Sequence, residues 1–162
     1  MTSSIRTSYL IAGAALLLTG ASITARSSGP TPLAPVPAPR AAAPATIEVQ
    51  GLAGNVEHGS YIVHDVAMCF ECHSPRDADG NIIESQEFMG GPIPVRPPWP
   101  NDWALRAPRN KGLPGYDDDQ AMRLLTQGAI GRDGTQLRPP MPRFHMSKQD
   151  AADVIAYMRS MQ

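Results

Sequence analysis

Beyond residue 46 the apolar positions fall into three helical stretches. From about Asn55 to Cys69, the residues Ile62, Val66 and Cys69 share one stripe, with Val63 beside it, at spacings of three and four. Gly59 lies inside this stretch, where glycine costs about 1 kcal/mol against alanine, so it marks a place where another element passes close. A second helix is predicted over "GYDDDQAMRLLTQGAI". Asp117 is its N-cap, and Gln120 completes a capping box. Met122, Leu125 and Ala129 form the inner stripe, and Gly128 ends it. A third begins at Ser147, with Asp150 three residues on, and runs to the C-terminus on an apolar face of Ala151, Val154, Ile155, Met158 and Met161. No stretch alternates well enough to predict a strand, and no internal repeat is visible. The expected fold class is therefore all-α, with short helices and long loops.

Two further stretches break the helical pattern. "GGPIPVRPPWPNDWALRAPRNKGLPG", residues 90–115, is too rich in glycine and proline for a regular helix or a central strand. A loop of that length in a small domain usually wraps something or carries function. At the other end of the chain, Tyr9 to Ala25 is an uncharged run behind a single basic residue, Arg6. It fits either a secretory signal, with small residues near Ala21 or Ala25 for cleavage, or a short membrane anchor. "GPTPLAPVPAPRAAAPAT" then has the composition of a semi-rigid linker, able to span roughly 50 Å if extended. The expected organisation is a signal peptide or N-terminal membrane anchor over 1–28, a Pro/Ala-rich linker over 29–46 and a single domain over 47–162. A tether is more useful when its far end is held, which favours the anchor.

Composition narrows the function. Of 162 residues, 18% are charged and the net charge is −1. The part after residue 45 holds all 15 acidic residues against 11 basic ones, a net of −4, which gives no case for nucleic-acid binding. Three short helices also supply a thin core for a domain of this size, so something else must fill it.

The chain has two cysteines, and both lie in "CFECH", residues 69–73. C-x-x-C-H is the signature of c-type haem attachment. Thiols three residues apart on a helical turn reach two vinyl groups on one side of a porphyrin, and the following imidazole comes to lie beneath the iron. Cys69 and Cys72 are thus the expected attachment points of one covalent haem c, with His73 as an iron ligand. The porphyrin would also supply the missing core. Other uses of the motif are a zinc site, a redox-active dithiol or a structural disulfide. Zinc would need a fourth ligand from His58, His64 or His145, and a thioredoxin-like dithiol would need a βαβ setting that is not visible.

For the opposite side of the iron, Met141 stands out among eight methionines. It sits in "LRPPMPRF", where flanking prolines hold an extended backbone and aim the side chain at little further entropic cost. Met146 and His145 are the substitutes. A neutral thioether raises the potential relative to a second histidine. Trp99, Trp103, Arg106 and Arg138 are candidates to hold the haem propionates. A proline carbonyl within 92–98 is expected to accept the bond from the second ring nitrogen of His73 and fix its tautomer.

From about Gly51 to Gln162 the chain resembles class I monohaem cytochromes c, and within them the cytochrome subunits of bacterial membrane-bound alcohol and gluconate dehydrogenases. The likeness rests on "GSYIVHDVAMCFECH", the following "SPRDADG", the glycine pair at 90 and 91, "DGTQLRPPMP" and the final "MSKQDAADVIAYMRSM". The segment around "RPPWPNDWALRAP" departs from it, as does the presence of one such domain where those subunits often have three. The resemblance implies that the first and last helices cross near Gly59 and Tyr157 and that Met141 binds iron. It implies an electron carrier and not an enzyme, on the periplasmic side, either anchored in the inner membrane or soluble after cleavage. Its expected partners are a dehydrogenase donor and a cytochrome or oxidase acceptor of a respiratory chain. Alternatives are an integral cytochrome subunit of a dehydrogenase complex, or a haem sensor or peroxidase with an open sixth position.

Overall fold

The computed structural model describes residues 43–161, so the N-terminal apolar run and most of the linker lie outside the described residues. The chain opens with a hairpin, β1 (Thr46–Val49) and β2 (Leu52–Asn55), antiparallel with Thr46 opposite Asn55. Its two-residue turn, Gln50-Gly51, has positive φ at both positions, the twist that suits a tight hairpin. A second ribbon, β3 (Gly91–Pro92) with β4 (Arg106–Ala107), closes the base of the proline-rich loop. The fold is small and helical but not all-α. Strands of four and two residues are too short to display a period-two pattern, which is why none was expected.

The first predicted helix is not continuous. α1 (Val56–Tyr61) starts at Asn55, whose side chain accepts a bond from the His58 N–H. The chain then widens into a π-helical turn over Ile62–Val66, closed by Ala67 N–H to the Ile62 carbonyl at 2.7 Å. A wide turn advances less per residue, so spacings of three and four no longer return to one face. Ile62 and Val63 are buried, whereas Val66 is exposed and Cys69 has left the stripe. At Met68 the backbone turns left-handed, and a new helix, α2 (Cys69–His73), begins there. The haem motif is thus a helix of its own, re-aimed relative to α1.

The other two helices follow the pattern. α3 (Asp118–Thr126) has both halves of the Asp117–Gln120 capping box and ends at Gly128, φ +87°. Ala129 is buried beyond its end. α4 (Lys148–Ser160) is capped by Ser147 Oγ, which accepts from the Asp150 N–H and donates to the Asp150 carboxylate.

α4 is the central element. Every residue from Ala151 to Ala156 is buried, so its neighbours must come close on several sides. Two glycines allow this. A Cβ at Gly59 would lie 2.0 Å from the Asp153 carbonyl oxygen and 2.8 Å from Tyr157 Cβ. One at Gly54 would lie 2.6 Å from the Ala152 carbonyl oxygen. α1 and α4 therefore cross at Gly59 and Tyr157, as the resemblance implied. Asp153, buried in this crossing, accepts from Asn55 N–H and the Gln149 amide, both at 2.8 Å, and lies 2.7 Å from His58 Nδ1. Burial alone would raise its pKa, but these bonds outweigh it and hold the carboxyl below its ordinary value. At the far end, Arg159 donates to the Gly112 and Tyr116 carbonyls and to Asp118, joining α4 to the start of α3. No helix among the described residues is long and apolar enough to cross a membrane.

Candidate haem site

The helices do not meet over a closed core. Between α2, the proline-rich loop, α3, α4 and the 137–144 segment lies a cavity of about 350 Å³ with mostly apolar walls. Cys69, Cys72 and His73 form part of one wall, and Met141 lines the same space from the 137–144 segment. Val63, Leu125, Val154 and Met158 project into it from the core. The long loop does wrap something: Ile93, Ala104 and the run from Arg106 to Asn110 are walls of this cavity.

His73 is oriented by a bond from Nδ1–H to the Pro108 carbonyl, 2.8 Å long. The proline carbonyl was expected within 92–98, and it comes instead from the return limb of the loop. The reason is a chain of close approaches that only the fold reveals. Phe88, fully buried at φ +61°, donates its N–H to Ser74 Oγ, the residue after His73, and its carbonyl accepts from Asn110 and Lys111 N–H. Gly90 N–H then donates to the His73 carbonyl at 2.7 Å. A Cβ on Gly90 would lie 2.7 Å from Arg109 N, and one on Gly91 2.9 Å from the Ser74 carbonyl. The glycine pair is thin enough to let the 107–109 backbone lie against the haem motif. That contact sets Pro108 opposite the imidazole. Ser74 and Phe88 were missed because nothing in their local sequence signals a role.

Burial lowers the His73 pKa, opposed in part by the bond to Pro108, so the ring is neutral at physiological pH. With Nδ1 occupied by a carbonyl, the proton sits there and Nε2 carries the free lone pair. Burial also pushes the Cys69 thiol up to about 11 and raises that of Cys72. The two are not bonded to each other. Such thiols are poor thiolates, unlike those of a dithiol redox centre, whose pKa is lowered. Nor do they converge with His73 as zinc ligands would. Among the described residues, the group of three such side chains with ligand atoms within 4.8 Å is His58, Asp150 and Asp153, at the α1–α4 crossing. His64 is also engaged away from the cavity, with Nδ1 2.9 Å from the Ser60 carbonyl and Nε2 3.1 Å from Glu87.

The Met141 segment is held from several sides. Ala104 N–H donates to the Pro139 carbonyl at 2.7 Å, Gly128 N–H to the Phe144 carbonyl at 2.8 Å and Met146 N–H to the Leu125 carbonyl at 3.0 Å. Met141 and Met146 are half-buried, and His145 is exposed. Of the expected propionate partners, Arg106 and Arg138 line the cavity, Trp99 is largely exposed and Trp103 has a buried indole N–H without a partner. Asn110, not anticipated, lines the cavity with an unpartnered buried Oδ1.

These features fit a haem. The walls are mostly apolar, and two unbonded thiols stand beside a neutral imidazole with a free nitrogen. Comparison with curated proteins yields no match. The model of the family described as Cytochrome c matches residues 56–162, about two-thirds of the chain. The chain belongs to the cytochrome c family, whose members bind haem c covalently and use its iron to carry electrons.

Proposed function

We propose that Cys69 and Cys72 are the attachment points of the haem, that His73 Nε2 and Met141 Sδ would ligate its iron, and that the protein carries single electrons between a periplasmic or membrane dehydrogenase and a respiratory acceptor. The observation that carries this reading is the convergence of Cys69, Cys72, His73 and Met141 on one apolar cavity, with His73 Nδ1 committed to Pro108. Each thiol adds its S–H across a vinyl double bond, giving a thioether with no loss of atoms. The bound group supplies an iron that alternates between ferric and ferrous. The chain would hold this group and exclude water from it with apolar walls. Ligation by a neutral imidazole and a thioether would favour the ferrous form, hence a positive potential. Trp103 and Arg106 or Arg138 are the donors we assign to the propionates.

Periplasmic placement follows from the attachment chemistry and from the apolar run at 9–25, as anchor or as cleaved signal. An intact mass together with an absorption spectrum tests the whole reading. The expected result is one covalent haem per chain and, in the ferric protein, the sulfur-to-iron charge-transfer band, lost in Met141→Ala. A high-spin ferric spectrum in the parent protein would overturn the ligand assignment and point to a sensor or peroxidase.

A further inference from the structure

The crossing of α1 and α4 holds a group of metal-ligating side chains away from the cavity. His58 comes from α1. Asp150 and Asp153 stand three residues apart on α4, so their carboxylates share one face. One ligand atom from each of the three lies within 4.8 Å of the others. Donors about 2.0–2.1 Å from a tetrahedral ion stand about 3.3 Å apart, so small side-chain rotations close the group around one. His58 Nδ1 and Asp153 Oδ2 are already 2.7 Å apart.

Burial and charge set this group apart from a surface ion pair. The Asp153 side chain is only 4% exposed, and its hydrogen bonds outweigh burial and keep it ionised, as metal ligation requires. Buried carboxylates are matched by a cation or coordinate a metal. Here the one ionisable partner of Asp153 is His58, and Asp150 has no ion pair among the described residues. One imidazole cannot balance two carboxylates. Asp150 also suits the first turn of α4, but that role does not explain a carboxylate buried a turn further on. Outer partners hold both acids, as they do for ligands. Asp153 Oδ1 accepts from Asn55 N–H and the Gln149 amide, which leaves Oδ2 for an ion, and Asp150 accepts from Ser147 Oγ.

We infer that His58, Asp150 and Asp153 bind one divalent transition ion of the zinc type, with water completing its coordination. One imidazole and two carboxylates suit such an ion better than Ca²⁺ or Mg²⁺, which take oxygen ligands. A neutral imidazole that gives Nδ1 to the metal carries its proton on Nε2 instead, so no proton need leave the site. His58, 45% exposed, marks the side from which the ion enters. The ion would lock α1 to α4 beside the contact of Gly59 with the Asp153 backbone, and would stabilise the fold by binding its folded form alone. None of this depends on the electron-carrier reading.

The test uses the holoprotein, stripped of loose metal by a chelator and titrated with Zn²⁺ in a calorimeter at about pH 7.5, with Mg²⁺ for comparison. We expect one Zn²⁺ per chain, no comparable Mg²⁺ binding, and a zinc X-ray absorption spectrum with one imidazole and oxygen donors at about 2.0–2.2 Å. Asp150→Asn leaves Asp153 and the Ser147 cap in place and should weaken binding about tenfold or more, with His58→Ala losing at least as much. Saturating Zn²⁺ should raise the urea midpoint of the parent and leave that of Asp150→Asn unmoved. His145→Ala removes an exposed imidazole elsewhere and should bind like the parent. The haem spectrum is recorded first, to show that each variant is folded. No binding up to about 0.1 mM Zn²⁺, binding that Asp150→Asn and His58→Ala both leave unchanged, a midpoint indifferent to zinc, or a zinc spectrum without imidazole overturns the site. The haem reading stands in every case.

Discussion

Single atoms decide most of what happens at the haem motif. His73 is neutral and singly oriented because burial disfavours its cation and the Pro108 carbonyl takes the Nδ1 proton. Gly90 and Gly91 matter only by what they lack. Gly90→Ala would place a methyl 2.7 Å from a backbone nitrogen and strain a residue at φ +79°, so the 107–109 strand must retreat from His73. We expect a loss of about 1–3 kcal/mol in urea unfolding and a shifted midpoint potential, since the imidazole loses its fixed partner. Gly59→Ala should cost as much or more without moving the potential, because its clash is with the α4 backbone, which has no free space to yield. Comparing the two variants by denaturation and by redox titration separates support of the fold from support of the ligand. Gly59 was readable in advance, because a glycine inside an amphipathic pattern needs a reason. Pro108 was not, because a carbonyl leaves no mark on residue choice.

Elements were legible in proportion to their length. α3 and α4 declared themselves through caps and stripes, and Asp117→Ala should remove about 1 kcal/mol, read as a lower urea midpoint at constant slope. The first helix looked continuous because a π-helical turn and a left-handed Met68 have no pattern of their own; they follow from where α2 must point. Asp153 links three elements, β2, α1 and α4, through one buried carboxylate. Since its folded pKa lies below the unfolded value of about 3.9, its contribution is complete above that value and is lost as pH falls through the folded pKa. The stability gap between the parent protein and Asp153→Asn should therefore be widest near neutrality and shrink below about pH 4, measured by urea unfolding at several pH values.

At the scale of the whole molecule, the polypeptide does not close its own core. The central cavity is lined by residues as far apart in sequence as Val63 and Met158, and an apolar body filling it contributes burial that the short helices cannot supply. The Cys69→Ser/Cys72→Ser variant should yield haem to acidic organic solvent, which the parent retains. It should also unfold at markedly lower urea, by several kcal/mol, once the group is removed.

What residues near one another in the chain can establish was available without coordinates. The spacing of two thiols and an imidazole on one turn, the caps of two helices and a methionine stiffened by prolines are all local, and together they named the cofactor and its candidate ligands. Only the tertiary structure decided which carbonyl orients His73, how α1 breaks before α2, and that Arg106 and Arg138 border the same cavity as the ligands. The His73–Pro108 bond joins positions 35 residues apart, and the cavity wall draws on segments from Val63 to Met158. They depend on where packing against α4 leaves each backbone, and no local pattern of side chains encodes that.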